Sequence, residues 1–237
     1  MQKLSEGVIF EQPLQKGLEI NSWPDTREMN DIVDRIQGSS EVQQRVGLAL
    51  IKFRSQKEAL LHGDLHTGSV MCTESATQVI DPEFSMIGPI GFDVGMFLAN
   101  VWMGVHSRAP VDRRAPAEMA VAVWRTFEAT FRSEWESERA ANAVLDAVLD
   151  SIWDDALTYC AIEIIRRVIG VAHVKDFTSI TDVATRAERE CTSLSFAIRI
   201  LLAKGDEGAV GSRCISRLSE LAVGVSSSLD GVLPPSR

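Results

Sequence analysis

The sequence predicts an α+β fold that is mainly α, a helical body carrying one small β-hairpin near residues 69–81. Three observations predict it. Apolar residues recur at helical spacing over long stretches on both sides of that segment. Two short β-prone runs, Ser69-Val70-Met71-Cys72 and Gln78-Val79-Ile80, flank the polar turn Glu74-Ser75-Ala76-Thr77. Gly88, Pro89, Gly91 and Gly95 then punctuate a loop before helical spacing resumes.

Taken in order, residues 1–24 read as irregular, broken by Pro13, Gly17 and Pro24. Asp25 or Thr26 is placed to cap a helix running to about Gln37, which Gly38-Ser39-Ser40 ends. From Glu41 to about Leu61 the apolar set Val42, Val46, Leu48, Leu50, Ile51, Phe53, Ala59, Leu60 and Leu61 predicts one long half-buried helix. His62-Gly63-Asp64 breaks it. The hairpin follows, and Asp81-Pro82 closes it, because Pro lacks the N–H that a central strand requires. A helix is expected from about Asp93 to His106. A basic, Pro-containing connection runs from Arg108 to Pro116, and further helices are expected at about 117–137, 141–169 and 180–204. Residues 1–204 thus form one body. The tail 205–237 is rich in Ser and Gly, ends near Pro234-Pro235, and is expected to be disordered or helical only in part.

The chain is acidic, with a formal net charge of -9. A nucleic-acid binder is more often basic, so no nucleic-acid partner is expected. No stretch reaches the roughly 18 apolar residues of a membrane span, so no membrane partner is expected either. Cys72, Cys160, Cys191 and Cys214 form no Cys-x-x-Cys pair, which argues against a zinc ribbon or disulfide framework and for reduced thiols in the cytoplasm.

The chemistry concentrates in Leu61-His62-Gly63-Asp64-Leu65-His66-Thr67-Gly68-Ser69 and Ile80-Asp81-Pro82-Glu83. Phosphoryl transfer to an alcohol needs one carboxylate to orient the hydroxyl and accept its proton, and others to hold magnesium. Protein kinases put the first on a His-Arg-Asp-x-x-x-x-Asn loop and a metal ligand at the end of the next hairpin. Asp64 stands at the loop Asp, Ser69 at the Asn, and Asp81 at the metal-binding Asp. A lone Gly63-Asp64 would read as a turn pair; the ordered loop, hairpin and second Asp support the catalytic reading. His62 and His66 are four apart, but Gly63 breaks any helix between them and no third ligand follows, so zinc is disfavoured. His62 is expected to pack under the loop and His66 to order it by hydrogen bonding. Asp93 is expected to cap the next helix, or to tie that helix to the catalytic loop. Among five tryptophans Trp102 is the best sugar-stacking candidate, though core packing is the expected role.

Residues 60–69 resemble the catalytic loop of the methylthioribose kinases, relatives of the aminoglycoside and choline kinases with the protein-kinase-like fold. Thr77 to Phe84, Gly88 to Asp93, and the twin-arginine block Ile165-Arg166-Arg167-Val168-Ile169-Gly170-Val171-Ala172-His173-Val174 resemble the same family. The resemblance implies the C-terminal lobe of that fold, with ATP and magnesium as cofactors. It implies phosphorylation of the 1-hydroxyl of S-methyl-5-thioribose in methionine salvage, with that small molecule as partner. It implies that Asp64 is catalytic, that Asp81, Pro82, Glu83 and Ser69 meet the metal-nucleotide, and that Asp81 and Glu83 ligate the metal. Arg166 and Arg167 are implied to hold the sugar or the transferring phosphoryl group. As helical neighbours they point about 100° apart, so one is expected to bind substrate while the other braces Asp64. Ser69 departs from the Asn of most relatives, and a hydroxyl is a poorer magnesium ligand, a weakness Glu83 is placed to repair.

Upstream of Asp64 there is no Gly-x-Gly-x-x-Gly, and Lys3 and Lys16 lie in broken polar sequence rather than on a strand. The N-terminal lobe that would supply most ATP contacts is therefore expected to be missing from this chain, leaving an apolar interface that favours self-association, such as a homodimer. The rival readings are a kinase of choline, homoserine or an aminoglycoside, and an inactive pseudokinase or binding remnant.

Overall fold

The computed structural model describes residues 6–135, 142–203 and 215–234. Thr26 caps the first helix, α1 (Arg27–Gly38), its hydroxyl accepting from the Met29 N–H at 3.2 Å. Ser39 does the same for α2 (Ser40–Ser55) through Val42. That helix stops six residues before the apolar pattern does. Polar Gln56-Lys57-Glu58 interrupts the periodicity, and the consecutive apolar residues Ala59-Leu60-Leu61 cannot share one helical face. They form strand β1 (Ala59–Leu61) instead. The hairpin is β2 (Val70–Cys72) and β3 (Thr77–Val79), antiparallel, with Met71 opposite Gln78. A fourth strand that the sequence did not suggest, β4 (Met86–Gly88), pairs antiparallel with β1, Leu60 opposite Ile87.

Helix α3 (Gly91–His106) leaves this second sheet and enters the core. It is followed by α4 (Arg114–Glu134), α5 (Asn142–Ile169), the single turn α6 (Lys175–Thr178) and α7 (Val183–Leu202). Helices α3 and α5 pack closely because Gly95 has no side chain: a Cβ there would lie 2.5 Å from the Ala156 carbonyl. Trp102, Trp124 and Trp153 are buried between the helices, with Trp124 and Trp153 rings 4.5 Å apart and Trp102 against Phe196. Trp102 is fully enclosed and packs in the core; it offers no face to a sugar.

The N-terminal segment differs from expectation, and the C-terminal tail is helical in part, one of the two forms expected. Residues 7–14 are not irregular but form tight helical turns, because Phe10 is anchored 5.3 Å from Phe53 and 6.2 Å from Tyr159. In the tail, α8 (Ile215–Gly224) packs against α4, burying Ile215, Leu218 and Ala222. His106 joins three helices there, its ring nitrogens within 3.2 Å of the Ser193 hydroxyl and the Ala222 carbonyl. Burial holds this imidazole neutral, its pKa pushed down to about 3. Residues 205–214 and 235–237 of the expected tail lie outside the described residues, as do positions 136, 137, 141 and 204 at the expected ends of the neighbouring helices.

Candidate active site

Asp64 lies on the turn after β1, and the backbone of that turn is fixed from several sides. Gly63 adopts φ +88°, a region costly for residues with a Cβ. A Cβ at this position would also fall 2.2 Å from the Phe84 carbonyl oxygen. Gly63 therefore lets the loop press directly onto the segment that follows Asp81. Asp93, in the first turn of α3, accepts from the His62 N–H at 2.6 Å and the Gly63 N–H at 3.0 Å. Ile90 precedes α3 without any side-chain cap, so Asp93 is a tie to the loop rather than a helix cap. Burial raises the Asp93 pKa, and the two N–H donors oppose that rise.

The other loop side chains are engaged locally. His62 Nε2 lies 2.9 Å from the Ile80 carbonyl, and its Nδ1 faces the Asp64 N–H. The Ile80 N–H donates to the Ser69 carbonyl at 2.9 Å. Both polar backbone groups of Ile80 are thus held by the loop, which fixes the start of Asp81. His66 Nδ1 accepts from the Gly68 N–H at 3.0 Å, and its Nε2 is 3.9 Å from Asp64 Oδ2. Burial lowers the His66 pKa, Asp64 opposes this, and the nearby guanidiniums reinforce it. Ser69 is 3% exposed; its hydroxyl donates to the Asp64 carbonyl at 3.2 Å and accepts from the His66 N–H. Its single O–H is committed inside the loop. Among the described residues no three His, Cys, Asp or Glu side chains gather as a metal site.

Asp81 is exposed and left-handed at φ +67°, and neither it nor exposed Glu83 makes a hydrogen bond or ion pair with the described residues. Pro82 bends the chain between them into a turn that Ser85 closes, its N–H and hydroxyl both donating to the Pro82 carbonyl. Two unengaged carboxylates on a strained turn are a hard-oxygen donor set, which suits a magnesium ion whose other ligands come with a nucleotide.

The twin arginines reach the site from the last turn of α5. Their guanidiniums converge on one atom: Arg167 Nη2 is 3.2 Å and Arg166 Nη2 3.5 Å from Asp64 Oδ1. Both guanidiniums therefore touch Asp64, despite the offset of neighbouring positions on a helix. Flexible stems overcome the 100° offset because both are drawn to Glu163, a residue the sequence reading missed. Glu163 is fully buried and accepts from Arg166 Nε, Arg166 Nη2 and Arg167 Nε, each at 2.6 Å. Burial alone would raise its pKa; the guanidiniums outweigh that and hold it below the usual range. The available signal was a single acid inside an apolar run, three and four residues before two arginines. Arg167 Nη1 also donates to the carbonyl of Ala172, which stands at φ +61°.

Residues 24–139 match the phosphotransferase enzyme family (APH). The chain is 35% identical over 193 residues to the methylthioribose kinase of Bacillus velezensis, covering 81% of this chain and 48% of that protein. It is 34% identical over 204 residues to the methylthioribose kinases of Bacillus thuringiensis and Bacillus anthracis, covering 84% of this chain and 51% of each. The chain spans about half the length of the curated relatives it matches.

Proposed function

This chain resembles the methylthioribose kinases of the phosphotransferase enzyme family, and on that premise we propose that it carries the catalytic half of an ATP-dependent small-molecule kinase. The acceptor is the 1-hydroxyl of S-methyl-5-thioribose, a methionine-salvage step carried out in the cytoplasm. The observation that carries the reading is the asymmetry of Asp64. Its Oδ1 takes both guanidiniums, while Oδ2 has only His66 Nε2, 3.9 Å away. Oδ2 is the atom left to accept a hydrogen bond from a substrate hydroxyl and then its proton.

Asp81 and Glu83 would hold magnesium, which when bound neutralises charge on the transferring phosphoryl group. Ser69 contributes through the shape of the loop. The guanidiniums fix the Asp64 carboxylate and add positive charge where the phosphoryl group passes. The clamps from Asp93, His62 and Gly63 keep the Asp64 turn and the Asp81 turn in one register, and such positioning supplies most of the catalysis in this reaction class.

The test is coupled ADP release from the chain alone and from the chain preceded by the N-terminal half of a Bacillus methylthioribose kinase. Acceptors are methylthioribose, choline, homoserine and an aminoglycoside. We expect methylthioribose-dependent turnover from the extended protein and near-background rates from the chain alone. Turnover with another acceptor but not with methylthioribose would overturn the substrate, and robust turnover without the extension would overturn the need for it.

A further inference from the structure

The two arginines that meet on Asp64 are not equivalent, and the difference traces to Glu163. Each of the three nitrogens of Arg167 has a protein partner: Nε on Glu163, Nη1 on the Ala172 carbonyl and Nη2 on Asp64. Arg166 uses Nε and Nη2 alone, on Glu163 and Asp64. Its Nη1 makes no hydrogen bond to the described residues, although the residue is only 6% exposed. That nitrogen is also absent from the described polar atoms that are sealed without a partner, so it retains access to solvent. A guanidinium has five N–H donors in a rigid fork, and a largely buried one with an open end is a preformed anion contact.

The distances show which carboxylate governs. The contacts to Glu163 are 2.6 Å, the short end for a charge-assisted bond, while those to Asp64 are 3.2 and 3.5 Å. Glu163 and Asp64 draw on the same two guanidiniums and share one donor, Arg166 Nη2, and Glu163 holds the stronger grip. We propose that Glu163 is a positioning residue: it restrains both guanidiniums short of full contact with Asp64 and fixes Arg167 as a brace, leaving Arg166 Nη1 as the arm that takes a phosphoryl oxygen. The restraint matters because a carboxylate gripped bidentately by two guanidiniums is a poor proton acceptor, whereas a loosely held one keeps Oδ2 free. The kinase reading enters only in naming the anion as a phosphoryl group.

Arginine side-chain NMR on the isotopically labelled chain tests this without requiring turnover. Signals are assigned with Arg166→Lys and Arg167→Lys, and three separate titrations use inorganic phosphate, ribose 1-phosphate and Mg-ATP. The two phosphorylated metabolites distinguish a sugar-side source of the phosphoryl group from a nucleotide-side one. In the parent, we expect both Nε–H signals to exchange slowly and at least one ligand to shift Arg166 while Arg167 stays in place. Arg166→Lys should abolish the phosphate response, and Arg167→Lys should weaken it less than threefold. In Glu163→Gln both Nε–H signals should broaden and phosphate affinity should fall at least tenfold. A ligand that moves Arg167 instead, no response at Arg166 to any of the three, or a Glu163→Gln protein with parental signals and affinity would each overturn the proposal. If Glu163→Gln does not fold, the parent titrations and the two lysine variants still decide the assignment of arm and brace. Failure of methylthioribose as a kinase acceptor would leave this result unaffected, so the two readings fail separately.

Discussion

Asp64 and Asp81 sit at the two ends of one loop-and-hairpin unit, yet the protein treats their carboxylates in opposite ways. Asp64 is one-third exposed and held through Oδ1 by two guanidiniums that a fully buried glutamate keeps in place. Asp81 is exposed, left-handed and without a polar partner among the described residues, as is Glu83 beyond it. Under the proposed function, the difference follows from what each would meet. A neutral hydroxyl brings no charge to order the carboxylate that receives it, so the protein must supply the order in advance. A magnesium-nucleotide brings its own charge, and a carboxylate already paired with arginine would have to be released before it could bind. The cradle at Asp64 is prebuilt, while the turn at Asp81 and Glu83 stays open.

The largest effect expected from breaking this contrast is on turnover. In the extended enzyme Asp64→Asn should lose about 10²–10⁴ in rate, because the amide cannot accept the proton; parental turnover would remove Asp64 from the chemistry. Next is the cradle itself. Glu163→Ala should destabilise the fold by about 3–5 kcal/mol in urea melts, since it strands two buried guanidiniums. The exposed counterpart Asp81→Ala should stay within about 1 kcal/mol of the parent. Equal losses from the two would erase the distinction. Acid separates the cradle from the core more gently. The folded pKa of His106 lies far below its ordinary value of 6.5, so its neutral form favours folding above that pH. As pH falls from 6.5 toward about 3, the unfolded chain gains a proton first and stability drops by about 1.4 kcal/mol per unit. Glu163, whose pKa is also depressed, adds to the loss only below its unfolded value of 4.5. Between pH 6.5 and 5, His106→Gln should therefore flatten the slope; an unchanged slope would assign it elsewhere. A smaller effect is expected at the open end, where Asp81→Ala and Glu83→Ala should each weaken Mg-nucleotide binding about tenfold by calorimetry. A Glu83→Ala protein that binds like the parent would remove Glu83 from the metal. The smallest is Asp81→Gly: relief of the left-handed backbone and the added chain entropy nearly cancel, leaving stability within about 0.5 kcal/mol.

Much of this was legible in the residues because it depends on local order. The spacing of Asp64, Ser69 and Asp81 around a hairpin is set by chain connectivity, and the hairpin and the capping of α1 by Thr26 formed as expected. What misled was pattern without context. The apolar run to Leu61 was read as helix, and its last three residues became β1 because β4, over 20 residues later, offered ladder partners. Composition left the tail open between disorder and partial helix; Leu218 and Ala222 are fully buried in α8 because α4 presents a face to it.

The sequence by itself determined the helical body and the loop-and-hairpin spacing of Asp64, Ser69 and Asp81, since these follow from periodicity and fixed spacing along the chain. Only the tertiary structure decided how the charges are shared. Glu163 and the arginines lie about 100 residues from Asp64, and no local rule says which acid two guanidiniums will choose. That choice is made by burial: a carboxylate sealed among apolar side chains has no solvent to fall back on, so it takes the tightest contacts and leaves the exposed Asp64 the looser ones.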